Sequence, residues 1–476
     1  MVRREYRQRS IFEVLLPDGD KLWDPVLRGI DDVLDDEGLV DLVADALGRR
    51  RPLSRVRGRP GTPAAVVLRM LVLKHLYDWS FDECEREVRG SLVYRAFCRV
   101  DCERVPDAKT LIRLASLLGP EVLTGLVARL VGLARQRKVI RGLRLRVDTT
   151  VVETNIHYPT DSRLLADGVR VLTRTMKRLR QLGAGATVRL RDRTRSVARR
   201  VFEIAQRSQT ATLRSGAAMR EHAKARLTQL YREVMGVTRA VVRDADAIGR
   251  AVAAGTRRRP AGTARAVVET LGQQLRHTVG LVQRVLAQTR ARILQGDTHA
   301  PDTVLSLFEP HTEAIRKGKA ARPTEFGKLV KLQEAEAQFI TDYAVCTTRV
   351  PDGALWVPAL QRHEALFGRP PRLAVADAGF ASSENERAAA SLGVRRVALP
   401  TRGRLSAARR THQRQRWFRR ALRWRTGCEG RISALKRRHG LRRCRARGLD
   451  GMERWVGLGV IANNLVVLGR AGPPRG

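Results

Sequence analysis

The sequence predicts an α/β protein: a mixed sheet with flanking helices, an all-α segment ahead of it and a second all-α segment inserted into it. Three observations carry this. Residues Arg141–Asn155 alternate apolar and polar side chains at the two-residue period of a strand. From about Asp161 to Thr298 strand signals vanish, and a run rich in Arg, Ala, Leu and Gln takes over. After Glu325, compact apolar runs return in alternation with helical segments, the order expected of a mixed α/β sheet.

A chain of 476 residues is long enough for two or three domains and a sizeable core, and 43% apolar residues exclude general disorder. Its charge is unusual. Ninety-one Lys and Arg against 48 Asp and Glu leave +43, with a pI near 11.5. Such a surplus repels itself in a compact state unless a polyanion offsets it, so nucleic acid is the expected partner. A GC-rich genome would favour Arg over Lys but would not remove acids. The six cysteines (Cys84, Cys98, Cys102, Cys346, Cys428 and Cys444) form no disulfide framework. Cys98 and Cys102 lack neighbours that would complete a zinc spacing. No long apolar core follows the N-terminal arginines, so no signal peptide is expected. The apolar stretches near Val66–Leu76 and Trp455–Leu468 are interrupted by Arg69 and Lys74, or by Asn463 and Asn464, and neither is expected to span a membrane. A soluble, intracellular protein is the expectation.

Taken in order, residues 1–60 read as a polar arm, a helical region around Asp31–Leu47 and the basic run Arg49–Arg59. Gly61-Thr62-Pro63 then predicts a helix start, with Thr62 as cap and Pro63 at the first helical position. Ser80 and Glu83 have the capping-box spacing for a helix over Phe81–Arg89. Further helices follow Pro106-Asp107 and run from Glu121 to about Val139. Short helices with basic surfaces suit a DNA-binding module, with a dimerisation bundle as the alternative.

In Arg141–Asn155, Leu143, Leu145 and Val147 share one face while Arg144, Arg146 and Asp148 share the other. Strands deplete Asp, and a buried carboxylate is costly unless it is paired or holds a metal. Asp148 therefore marks a candidate cation site. The helical run that follows reads as an insertion of about 140 residues, broken at Gly183–Gly185 and Ala253–Gly262. Beyond the basic turn Arg316–Arg322, Glu325–Leu332 and Phe339–Thr347 predict a hairpin and Pro358–Phe367 a helix. Leu373–Asp377 predicts a strand ending in Asp377-Ala378-Gly379-Phe380, followed by a helix over Ser383–Leu392 and a strand over Arg396–Leu399.

A long helix, Arg414–Arg438, puts Trp424, Cys428, Ile432 and Leu435 on one stripe, with Arg425, Glu429 and Lys436 at its margin. His439-Gly440 stops it. Between Thr401 and Asp450 stand eighteen Lys or Arg and only two acids, Glu429 and Asp450. Glu429 could be a salt-bridge hub, but its place beside the apolar stripe favours a site role. Trp417, Phe418 and Trp424 are interleaved with arginines. Trp417 is the candidate for stacking on an unpaired base, and Trp424 is expected in the core. Glu153 and Asp161 are expected to be structural or solvated, as is His157.

Asp148, Asp377 and Glu429 each end or edge an element that would meet at one sheet edge. Here the chain resembles the DDE transposases of bacterial insertion sequences. Val147-Asp148-Thr149-Thr150 matches the first motif and Asp377-Ala378-Gly379-Phe380 the second. The third is similar to the family's Tyr-x2-Arg-x3-Glu-x6-Lys signature, with Arg425, Glu429 and Lys436 in place and Leu422 where the tyrosine stands. Gly61–Arg113, Phe308–Lys319 and Glu325–Val330 also resemble segments of these enzymes, so the likeness covers most of residues 50–470.

The resemblance implies a ribonuclease-H-like catalytic domain in two pieces, residues 140–160 and 300–470. A helical DNA-binding or dimerisation domain at residues 1–139 would precede it, and a helical insertion at residues 161–299 would interrupt it. It implies Asp148, Asp377 and Glu429 as catalytic ligands of two Mg²⁺ (or Mn²⁺) ions about 4 Å apart, which suits hard cations and oxygen donors. Cleavage would free a 3′-OH at the transposon end, and that 3′-OH would attack target DNA. Arg425 and Lys436 would hold phosphates, with Arg431 and Trp417 as further DNA contacts. The implied partners are terminal inverted repeats, target DNA and a second copy of the chain on DNA, with no membrane; the implied location is the cytoplasm, at the nucleoid. A metal-dependent nuclease without strand transfer, or a non-catalytic DNA-binding derivative, would carry much the same sequence.

Overall fold

The structure, a computed structural model, describes residues 3–5, 22–50, 61–184, 190–212, 217–256, 263–297, 303–316, 324–401 and 403–472. Most of Arg49–Arg59, Arg257–Pro260 and most of Arg316–Arg322 lie outside the described residues. Two compact units emerge, Met1–Asn155 with Glu313–Gly476, and Ile156–Thr312.

The first unit begins with helices α1 (Pro25–Leu34) and α2 (Glu37–Gly48), each started by an aspartate, Asp24 or Asp36, that accepts from backbone N–H groups of the first turn. The single helical region anticipated there is thus two. Helix α3 (Ala64–Leu76) starts one residue later than expected. Thr62 does not cap it; Pro63 holds the cap position without a side-chain bond. The Ala64 and Ala65 N–H groups instead donate to the carbonyls of Arg3 and Arg4, at 2.9 and 3.1 Å. The capping box of α4 (Phe81–Gly90) is formed in full. Glu83 N–H donates to Ser80 Oγ at 3.1 Å and Ser80 N–H to Glu83 Oε2 at 2.6 Å. After the short α5 (Leu92–Phe97) come α6 (Ala108–Ala115), capped by Asp107, and α7 (Pro120–Gln136).

Among the described residues the sheet has seven strands. They are β1 (Arg144–Thr154), β2 (Glu313–Ile315), β3 (Glu325–Glu334), β4 (Ile340–Val345), β5 (Leu373–Val375), β6 (Arg396–Ala398) and β7 (Arg443–Cys444). The main path runs β2-β3-β1-β5-β6, with β4 also on β3 and β7 also on β1. β1 is antiparallel to β3, with Asp148 opposite Leu332, and parallel to β5, with Arg146 opposite Val375. Its two faces separate as the period predicts. Leu145 and Val147 join Ala374, Phe380 and residues of α8 (Trp356–Phe367), among them Trp356 and Leu360, in one core. Val375 and Ala398 pack on the other face against Phe418 and Ala421 of the long helix described next.

Helix α9 (Ser383–Ser391) links β5 to β6, and α10 (Ala407–Arg414) leads into α11 (Arg416–Arg438), the long basic helix. A further helix, α12 (Gly448–Ala471), is buried on almost every side and shares one core with α1, α3, α7 and part of β3 and β4. It crosses α1 so closely that a Cβ on Gly29 would lie 2.3 Å from the Gly469 carbonyl. Its Asn464 reaches the free edge of β4, accepting from Ile340 N–H at 3.0 Å and donating to Ile340 O at 2.7 Å.

Among its described residues the second unit bundles the α-helices α13 (Asp161–Gln181), α14 (Thr194–Thr212), α15 (Ala217–Thr256) and α16 (Thr263–Thr289). Its core gathers Leu172, Met176, Leu230, Ile248, Leu275 and Val282. Asp161 is buried here as a structural acid, accepting from Gln288 Nε2 at 2.8 Å. Among the described residues no single helix is long and apolar enough to cross a membrane.

Candidate active site

The site is built on the face of β1 that carries Arg144, Arg146 and Asp148, where α11 lies across it. Arg146 fixes that crossing. Its guanidinium is 2.5 Å from Glu334 on β3, and both side chains are fully buried. Its Nη1 donates to the Trp424 carbonyl at 2.7 Å, and its cation stacks over the Trp424 ring at 5.0 Å. Cys428, one turn along, donates its thiol to Glu334 Oε1 at 3.2 Å. Burial pushes the Cys428 thiol well above its ordinary range, and the Glu334 carboxylate adds to that. These contacts account for a buried arginine in β1.

Two residues further, Asp148 is buried and accepts from Thr149 N–H at 2.7 Å. In the parallel register of β1 and β5, two residues beyond Arg146 and Val375 stand Asp148 and Asp377. Asp148 thus lies within β1, and Asp377 follows two residues past the end of β5, the strand parallel to it. Asp377 also caps the short turn Ala378–Phe380, accepting from Gly379 N–H at 2.9 Å.

Glu429 is separated from Asp148 by one side chain. Arg425 lies between them, with Nη1 3.8 Å from Asp148 Oδ2 and Nη2 3.2 Å from Glu429 Oε1. The Arg425 side chain is 16% exposed and that of Glu429 68%. Among the described residues no group of three or more His, Cys, Asp or Glu is gathered closely enough to hold a metal ion. The donors nevertheless fit divalent cations in kind, all being carboxylate oxygens.

Lys436 lies seven residues beyond Glu429 on the same helix, about 10 Å along its axis. Arg431 turns away. It donates to Asn463 Oδ1 at 2.6 Å and to Gln338 Oε1, so its guanidinium ties α11 to α12 and to the hairpin turn. Trp417 is half-buried at the start of α11, its ring beneath the Arg396 cation at 5.5 Å. Trp424 joins the apolar layer under the helix, as expected. Glu153 pairs with Arg443 across the β1–β7 register at 3.4 Å.

The sequence reading missed Asp352. It sits in the turn before α8 and accepts from Thr149 Oγ1 at 3.0 Å. A Cβ on Gly379 would lie 3.1 Å from Asp352 Oδ2 and 3.2 Å from Asp377 Oδ1, so the two carboxylates flank that glycine. Only the Pro351-Asp352-Gly353 turn signal marks it in sequence, and turn aspartates are too common to single out.

A transposase domain family matches residues 12–117, and a transposase DDE domain family matches residues 390–469. The second match contains Glu429 and Lys436 as well as Arg425; Asp148 and Asp377 lie outside both. An uncharacterised protein from Rhizobium meliloti, ORF8 of the nfe locus, is 31% identical over 127 residues, which cover 25% of this chain and 61% of that protein. The chain thus aligns with less than two thirds of that relative's length. No solved structure matches the chain significantly. Two transposase domain families thus match, in the order and at the positions of the helical segment and of the third acidic motif, and these matches support a DDE transposase of an insertion sequence.

Proposed function

We propose that the chain cuts DNA at transposon ends and transfers the freed 3′-OH to target DNA. Asp148, Asp377 and Glu429 would hold two Mg²⁺ or Mn²⁺ ions. The observation that carries this is Arg425, which lies between Asp148 and Glu429, with Asp377 two residues past the end of β5, the strand parallel to β1. A ribonuclease-H-like core is supported by the strand path, in which antiparallel β4 and β3 precede the parallel β1, β5 and β6. When bound, the cations would supply charge neutralisation at the attacking and leaving oxygens.

The chain's own groups do the rest. Arg425, a planar fork, would exchange carboxylate for a phosphate near the scissile bond, and Lys436 would hold a second phosphate two turns further along. Thr149, through its backbone N–H, fixes the Asp148 carboxylate, and Asp352 holds the Thr149 hydroxyl. Pairing of two transposon ends favours a homodimer on DNA at the nucleoid.

The test is a strand-transfer assay with a pre-cut transposon end and a target plasmid in Mg²⁺. Joined product is expected, and Asp148→Asn should abolish both cutting and joining while leaving DNA binding intact. Cutting without joining would assign the chain as a nuclease instead. Normal cutting by Asp148→Asn would remove Asp148 from the site.

A further inference from the structure

Opposite the carboxylates, at the other end of the same sheet face, lies a cleft of about 1150 Å³. Arg144, Leu373 and Arg396 form one rung across β1, β5 and β6, and the first half of α11 covers it. Among the described residues, eight arginines and the indoles of Trp417 and Trp424 line it, and no acid does. Arg144 and Arg396 stand on the strands, Arg416, Arg419, Arg420 and Arg423 on the helix; none of the eight makes a salt bridge among the described residues. That many like charges around one concavity oppose folding unless an anion enters.

We infer that this cleft binds single-stranded DNA, as a site separate from the carboxylates. The inference rests on the DNA-processing reading above and adds a strand-binding site to it. A space of this volume is roughly 10 Å across, narrower than the ~12 Å major groove of a duplex alone. Guanidinium forks grip phosphates, and indole faces stack on unpaired bases without regard to sequence. The rung at Arg144 is four residues from Asp148, about 13 Å at the rise of a strand, so one strand can pass the carboxylates and enter the cleft.

The test uses the full-length protein in EDTA with a fluorescein-labelled thymidine oligonucleotide of roughly twelve nucleotides, read by anisotropy. Arg419→Gln/Arg420→Gln should weaken binding at least tenfold and reduce the slope of log affinity against log salt by about 1.4. The pair Arg195→Gln/Arg199→Gln, exposed on α14, should change affinity less than twofold. Trp417→Ala should also weaken binding. The arginine double variant should melt no lower than wild type, because it relieves repulsion. If it unfolds, Arg396→Gln and Arg144→Gln, on separate strands, carry the same expectation singly. Unchanged binding in the cleft variants, or equal loss in the α14 pair, overturns the cleft. Equal loss on a blunt duplex of the same length overturns its assignment to single strands. Binding in EDTA needs no cleavage, so failure of the cleft and failure of the transposase reading are distinguishable.

Discussion

Gly427 makes room for Arg146: a Cβ at position 427 would stand 2.5 Å from Arg146 Nη1. The contact is the point at which α11 rests on β1, and so it sets the distance between Asp148 on the strand and Arg425 and Glu429 on the helix. Gly427→Ala should lift the helix or displace the guanidinium, lowering the cleavage rate at least tenfold. Gly430, three residues on, has nothing within 4 Å of where its Cβ would be. Gly430→Ala should therefore raise stability by up to ~1 kcal/mol through helix propensity. Thermal melts of the two variants, with cleavage kinetics for Gly427→Ala, check the pair.

Breaking the ion pair beneath the site should be severe. Arg146 and Glu334 are both buried, so removing one leaves an uncompensated charge, a loss of ~3–5 kcal/mol. Glu334→Gln and Arg146→Met should each show it in denaturant unfolding. The double variant Arg146→Met/Glu334→Met should recover most of the stability but not the cleavage, because the Arg146 bond to the Trp424 carbonyl is gone.

Arg425 already provides positive charge between Asp148 and Glu429. Arg425→Gln should therefore bind Mn²⁺ more tightly in calorimetric titration while cutting DNA more slowly, since the phosphate contact is lost. Weaker Mn²⁺ binding in this variant would contradict the bridging role.

Acid should unfold the first unit through buried imidazoles. Burial pushes His439 down to about 4, lowers His363, and puts His75 well below the ordinary range. His439 Nδ1 is 3.1 Å from the His75 carbonyl, in a position to donate to it. In the unfolded chain these rings take up protons near pH 6.5, whereas folded His439 does so only near 4. Stability is then full above about pH 6.5 and falls as pH drops toward 4, by ~3 kcal/mol for His439 alone. Melts from pH 7 to pH 4.5 should show the fall, and His439→Gln should make it shallower, with His75 and His363 carrying what remains.

Much of this was legible in the sequence. Ser80 and Glu83 announced their helix because a capping box is local chemistry, and the period of β1 separated Val147 from Asp148 correctly. Helix α12 was not recognised: being buried nearly all round, it has no amphipathic stripe to read. Thr62 looked like a cap, but the carbonyls of Arg3 and Arg4, sixty residues away, hold those N–H groups. The same limit applies at the site. Arg431 shares the helix of Arg425, yet its partners Asn463 and Gln338 come from elements whose approach no spacing on α11 reveals.

Asn464 has a consequence for solubility. Strand β4 pairs with β3 on one side only, and an open strand edge invites another chain to extend the sheet. The carboxamide of Asn464 offers one acceptor and one donor to Ile340, the same pair a neighbouring strand would offer, and α12 holds it there. A side chain thus stands in for a missing strand, and Asn464→Leu would expose a template for aggregation.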